Sequence, residues 1–138
     1  MFPPKPPKGA DPRMYFFLFL LTLGTTLGYQ GWTLLYTNFA VESAHLSAAD
    51  NGLVQSLREV PGLLGFLIIP LLLVMKEHRV AAVAALATGL GTALTGFFPS
   101  FVPVILTTLL MSFGFHFFEA VNQSLLLQYF DVRTTPVV

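Results

Sequence analysis

Charged residues are spaced far apart along this chain, and the stretches between them are apolar. All 28 residues between Arg13 and Glu42 are uncharged, as are all 39 between Arg79 and Glu119. A helix needs about 20 mostly apolar residues, each rising 1.5 Å, to cross a hydrocarbon core about 30 Å thick. The first stretch predicts one such helix, at residues 14–38. The second is long enough for two, divided at Phe97-Phe98-Pro99-Ser100-Phe101-Val102-Pro103. Two prolines four apart, with a Ser suited to capping, end one helix and begin the next. These helices are expected at 79–97 and 101–129. A fourth is expected at 47–75, where Ser47 and Asp50 have the spacing of a capping box. The pattern predicts an all-α membrane protein with four transmembrane helices and short tails at 1–13 and 130–138.

Composition supports the class. The chain is 54% hydrophobic and 10% charged, whereas a soluble domain carries roughly 25% charged residues. Its formal net charge is zero, so nothing favours a nucleic-acid partner. Without Cys it has no disulfide or thiolate metal site. No phosphate-binding glycine loop or nucleophile triad is present. His45, His78 and His116 fall in two different loops and a span, so no metal, other cofactor or enzymatic activity is expected. The run after Lys5, Lys8 and Arg13 continues through Tyr29, Trp32 and Tyr36, longer than a secretory signal core. The Phe2-Pro3-Pro4-Lys5-Pro6-Pro7-Lys8 segment before it predicts an extended cytosolic tail.

Basic residues suggest an orientation. Lys5, Lys8, Arg13, Lys76, Arg79 and Arg133 all fall on one side of the predicted spans, and the other two loops carry no Lys or Arg. The positive-inside rule then places both termini in the cytoplasm of a multi-pass protein of the plasma or inner membrane.

The helices differ in their polar faces. At 100° per residue, Thr22, Thr25, Tyr29, Thr33 and Tyr36 share an arc of roughly 60° on the first helix. Such a stripe suits protein or a watery cavity better than lipid. Gly24, Gly28 and Gly31 lie opposite and would admit a close backbone neighbour. On the second helix Gln55, Arg58, Glu59 and Gly62 follow at i, i+3, i+4 and i+7. Arg58 and Glu59, near the outer mouth, are candidates for a gate, a binding residue or an inter-helix ion pair. Adjacent helical residues diverge by about 100°, which argues against an ideal pair between these two. The third helix shows a Thr88, Thr92, Thr95 face and a Gly89, Ala93, Gly96 face, both suited to packing. On the fourth, Ser112, His116, Glu119 and Gln123 fall within roughly 60° of arc. Ionisable residues inside a membrane are functional candidates, so Glu119, with His116 at i−3 sharing the proton, is the candidate for proton handling.

Several segments together resemble the N-terminal third of a major facilitator superfamily transporter. Leu46-Ser47-Ala48-Ala49-Asp50-Asn51-Gly52-Leu53-Val54-Gln55-Ser56 is similar to that family's entry into its second helix. Pro61-Gly62-Leu63-Leu64-Gly65 and Pro70-Leu71-Leu72 follow it similarly. Gly114-Phe115-His116-Phe117-Phe118-Glu119-Ala120-Val121-Asn122-Gln123-Ser124 resembles its fourth helix. The loop Val74-Met75-Lys76-Glu77-His78-Arg79 departs from the family pattern, a Gly and an Asp before a basic-Gly-basic run, and keeps only the basic residues. Members have twelve helices in two halves, each made of inverted three-helix repeats, so the resemblance implies a truncated or fragmentary chain. It also implies secondary transport of a small solute, with the first and fourth helices lining the cavity. The expected pathway residues are Tyr29, Thr33, Tyr36, Arg58, Glu59, His116, Glu119 and Gln123. The expected partners are the lipid bilayer, a solute, a coupling proton, and either the remaining helices or another copy of the chain. Two other readings fit the same pattern. One is a complete four-helix dimeric drug antiporter, although such proteins carry an essential Glu in the first helix and this chain has none there. The other is a membrane adaptor that transports nothing.

Overall fold

Local signals fix where the helices begin. Asp11 accepts a hydrogen bond from the Arg13 amide at 2.9 Å, and Pro12 follows at the first helical position, where its missing N–H costs nothing. The Ser47 hydroxyl accepts from the Asp50 amide while the Asp50 carboxylate accepts from the Ser47 amide, which is the predicted capping box. Pro103 sits in the first turn of its helix, where its amide would have had no intrahelical partner.

A computed structural model describes residues 11–129. The elements in chain order are α1 (Pro12–Glu42), α2 (Ala48–Leu63), a 3₁₀ turn (Gly65–Leu67), α3 (Ile68–Val74), α4 (Glu77–Phe97) and α5 (Phe101–Tyr129). No strand occurs among the described residues. α4 and α5 are long and apolar enough to cross a membrane, and α2 with the 3₁₀ turn and α3 makes a third crossing if the bent pair is one span. α1 has the length, at 31 residues. Its threonines, glycines, tyrosines and Gln30 keep it short of the apolarity of the other two. The chain is therefore an α-helical membrane protein. The tails at 1–10 and 130–138, with Lys5, Lys8 and Arg133, lie outside the described residues.

Two expectations about the elements need correction. The first helix extends beyond 14–38, from Pro12 to Glu42. It stops where His45 takes a left-handed conformation at φ 50° and Leu46 returns its amide to the Ala40 carbonyl at 2.8 Å. The expected continuous helix at 47–75 is broken, with a 47° bend between its two arms. Pro61 supplies no amide to the Leu57 carbonyl and Pro70 supplies none to Phe66. The helix between them tightens into a 3₁₀ turn at Gly65, a residue of low helix propensity.

The scaffold is the antiparallel α4–α5 hairpin. Ala81, Ala84, Thr88, Gly91 and Thr95 of α4 are buried at heptad spacing against Val104, Thr108, Met111, Gly114, Phe118, Val121 and Leu125 of α5. A Cβ on Gly91 would collide with the Met111 backbone, and one on Gly114 with the Thr88 amide and the Ala84 carbonyl. The backbones thus touch at two places about one turn apart. Thr95 and Thr107 hydroxyls bond across the hairpin at 2.9 Å.

α1 and α2 dock on this hairpin from different sides. α1 approaches α4 at Gly28, whose carbonyl accepts from Thr92 Oγ1 at 3.1 Å. α2 meets α5 where Ser112 Oγ donates to the Arg58 carbonyl at 2.5 Å. Apolar side chains form two clusters, one around Tyr15, Leu18, Phe118 and Leu125, the other around Trp32, Tyr36, Val54 and Met111. Between them along the helices lie small and hydroxyl residues: Thr25, Thr88, Ser112 and Gly114. Of the predicted glycine stripe on α1, only Gly28 has a close neighbour; Cβ positions at Gly24 and Gly31 meet open space.

Overpacking a tight contact costs about 1–3 kcal/mol. Gly91→Ala and Gly114→Ala are each expected to lower stability by that much in reversible unfolding in detergent. Gly24→Ala should leave stability unchanged or raise it by up to about 1 kcal/mol through helix propensity. Equal effects at all three positions would refute the backbone-contact assignment.

Candidate functional site

The polar stripe of α5 does not face a single neighbour. α1 lies toward one edge of it and α2 toward the other, so the expected site residues are divided between two places.

Toward α1 there is a pocket of about 280 Å³ lined by Thr22, Thr25, Thr26, Tyr29 and Gln30 of α1 and by Phe115, Phe118, Glu119 and Asn122 of α5. The five members of the predicted α1 stripe divide here: Thr22, Thr25 and Tyr29 line the pocket, whereas Thr33 and Tyr36 do not. The rings of Tyr29 and Phe115 stack at a centroid distance of 3.8 Å and 13° between planes, joining α1 to α5 at the Gln30 end. Thr25 Oγ1 and Asn122 Oδ1 are both buried without a hydrogen-bond partner among the described residues. A buried hydroxyl or amide oxygen left unpaired is destabilising, and such groups in a native fold call for an explanation. Glu119 is exposed at the edge of the pocket.

Toward α2 stand Ser112 and His116. The His116 ring lies over Gly62, so close that a Cβ there would be 3.1 Å from Cε1. Among the described residues no hydrogen bond joins His116 to Glu119. The expected proton-sharing pair is therefore not formed: one side chain serves α2, next to the bend, and the other the α1 pocket. Gln123 is exposed and outside the pocket; its neighbour Asn122 takes the place expected of it.

The remaining expected residues are structural or lie elsewhere. Thr33 donates to the Tyr29 carbonyl of its own helix at 3.0 Å and is exposed. Tyr36 is buried and stacked on Trp32, with centroids 4.2 Å apart. Arg58 and Glu59 pair with each other within α2, not between helices, and the pair is short of ideal as their adjacency implies. Arg58 Nε and Nη2 both reach Glu59 Oε1, at 2.9 and 2.6 Å. The long Arg side chain spans the 100° divergence, although both donors converge on one oxygen and the two-oxygen fork is not made. The guanidinium also lies 5.5 Å from the Trp32 ring centroid, a cation–π contact between α2 and α1. At the other end of the hairpin, Gln128 Nε2 donates to Glu77 Oε2 at 2.7 Å and Ser124 Oγ to Glu77 Oε1 at 3.3 Å, tying α5 to the start of α4.

Sequence reasoning missed Thr26, Gln30, Phe115 and Asn122. For Asn122 a signal existed, since it stands one residue from the predicted stripe and is the amide nearer α1. No protein-family model, no curated protein and no solved structure matches the chain.

The two kinds of buried hydroxyl should respond oppositely to removal. Ser112→Ala breaks a made hydrogen bond and is expected to cost about 1 kcal/mol of stability. Thr25→Val replaces an unpaired hydroxyl with a methyl and is expected to gain about 1 kcal/mol. Unfolding midpoints in detergent check both; a loss at Thr25 would mean that its hydroxyl is already satisfied.

Proposed function

We propose that this chain forms one wall of the solute pathway of a secondary transporter of the major facilitator type. In this reading α1, the bent α2–α3 pair, α4 and α5 are four spans, and the basic ends lie in the cytoplasm. The reading rests on the α1–α5 pocket. It sits at the middle of two long helices, it is lined by hydroxyl, amide and carboxylate groups, and two of its buried polar atoms have no partner among the described residues. Lipid cannot satisfy such groups, whereas water or a polar solute can. Glu119, at the edge of the pocket, is exposed. The facing wall comes from further helices or from a second copy of the chain.

Within this pathway Glu119 is the proton carrier, and Thr22, Thr26, Tyr29 and Asn122 contact the solute. Arg58 and Glu59, fixed to each other and to Trp32, hold α1 and α2 together beyond the pocket. His116 acts at the bend, where its ring bears on Gly62. The resemblances of the second- and fourth-helix segments support the family assignment.

The chain has no Cys, so single cysteines can report on water access. Thr22→Cys, Thr26→Cys and Asn122→Cys, in the chain reconstituted into liposomes, are expected to react with a charged thiol reagent at least about tenfold faster than Leu27→Cys and Leu106→Cys. Thiolates form and react in water and not in hydrocarbon. Equal rates at pocket and lipid-facing positions would rule out an aqueous pathway along α1 and α5.

A further inference from the structure

α1 and α4 touch at Gly28 and part on both sides of it. Gly24 and Gly31 on α1, and Gly89 and Gly96 on α4, have nothing within 4 Å of where a Cβ would stand. These glycines open the seam between the helices instead of closing it. Two grooves result. The first, about 340 Å³ and floored by Gly24 and Gly89, is almost wholly apolar. The second, about 420 Å³, lies toward the end of the bundle reached by Glu42, and Gly31 and Gly96 line it.

The second groove has an ordered chemistry. Glu42 is its one charged lining residue, and residues 39–46 contain no Lys or Arg. At 1.5 Å per residue, Tyr36 lies about 9 Å and Trp32 about 15 Å further along α1. Both line the groove and are only 2% and 3% exposed, and neither Tyr36 Oη nor Trp32 Nε1 has a hydrogen-bond partner. An indole N–H can only donate, so what it lacks is an acceptor. From mouth to floor the groove offers a carboxylate, a phenol, an indole and a glycine-lined apolar surface. A zwitterionic phospholipid presents the complementary series: an ammonium, then phosphate and ester oxygens, then acyl chains. Trp and Tyr at this level are the residues that favour a membrane–water boundary.

We propose that the α1–α4 groove beside Glu42 is a binding site for one phospholipid with an ammonium headgroup. Glu42 takes the ammonium, Tyr36 and Trp32 donate to the phosphate or ester oxygens, and the openings at Gly31 and Gly96 admit the chains. This rests on the reading that α1 spans the bilayer. The test is native mass spectrometry of the whole chain released from nanodiscs containing equal phosphatidylethanolamine and phosphatidylglycerol. The wild type is expected to retain the ethanolamine lipid in excess on the order of tenfold. Gly31→Leu combined with Gly96→Leu fills open space and should abolish retention while circular dichroism shows the helices intact. Glu42→Gln should keep a lipid and lose the headgroup preference. Equal retention of the two lipids by the wild type overturns the proposal, as does full retention by the filled variant or a lipid-free dimer, which would put a second copy in the groove. The spanning reading is tested separately by Arg13→Cys and Ser43→Cys. Labelling of both from the same face sinks that reading, whereas labelling from opposite faces without a headgroup preference sinks the lipid site alone.

Discussion

The backbone contact between α4 and α5 is the constraint on which the rest of the structure depends. In lipid, apolar side chains gain little by leaving one hydrocarbon surface for another, so helices associate through close packing and hydrogen bonds. Gly91 against Met111 and Gly114 against Thr88 bring two main chains together where any Cβ would collide. This closeness places the hydroxyls of α4 and α5 within reach of neighbouring helices. Thr92 on α4 bonds the Gly28 carbonyl of α1, and Ser112 on α5 bonds the Arg58 carbonyl of α2. A helical carbonyl already engaged along its own helix still has a second lone pair. Docking by such bonds therefore leaves the helices intact and fixes both their rotation and their depth.

The docking geometry also explains the division of the α5 stripe. α1 and α2 bind to different sides of the hairpin and straddle α5, so residues within one narrow arc face different neighbours. Ser112 and His116 turn to α2, and Glu119 and Asn122 to α1. An arc measured on one helix specifies a direction; it does not specify which of two flanking helices will fill that direction.

This marks what could be read from the sequence. Apolar intervals and local capping chemistry are encoded within a few residues, and the capping box at Ser47 and the limits of α5 follow directly from them. The break near Gly65 was harder to read, because Pro61 and Pro70 are each tolerated in membrane helices when neighbours compensate. Glycines were the least legible. Gly24, Gly28 and Gly31 look alike in sequence, yet one is a contact and two are openings. Gly91 and Gly114 close the scaffold, and a trace of this was present: Ala81, Ala84, Thr88, Gly91 and Thr95 form a heptad of small residues. Its meaning depends on the matching residues of α5. Adjacency limits the Arg58–Glu59 pair to one carboxylate oxygen, and it forms at all because the long Arg side chain reaches around the divergence of the two Cβ directions.

α1 stands apart from the other long helices in a way that packing does not explain. α4 and α5 satisfy most of their buried hydroxyls, in bonds to their own carbonyls or to another helix. On α1, by contrast, Thr25, Trp32 and Tyr36 bury polar atoms that have no hydrogen-bond partner among the described residues, and each lines a cavity. Valine, leucine or phenylalanine at these positions would fill the same volume without the desolvation cost. A helix that served only as a membrane anchor would have no use for three unpaired polar groups aligned with two cavities. All three project from one face of α1 at different depths, Thr25 lying about 10 Å from Trp32 and about 16 Å from Tyr36 along the axis, so one small partner cannot reach them all. Thr25 lines the pocket that Glu119 borders, and Trp32 and Tyr36 line the groove that ends at Glu42. One polar face of α1 therefore serves two cavities at two depths, and the lining of those cavities, not the packing of the bundle, accounts for its unpaired groups.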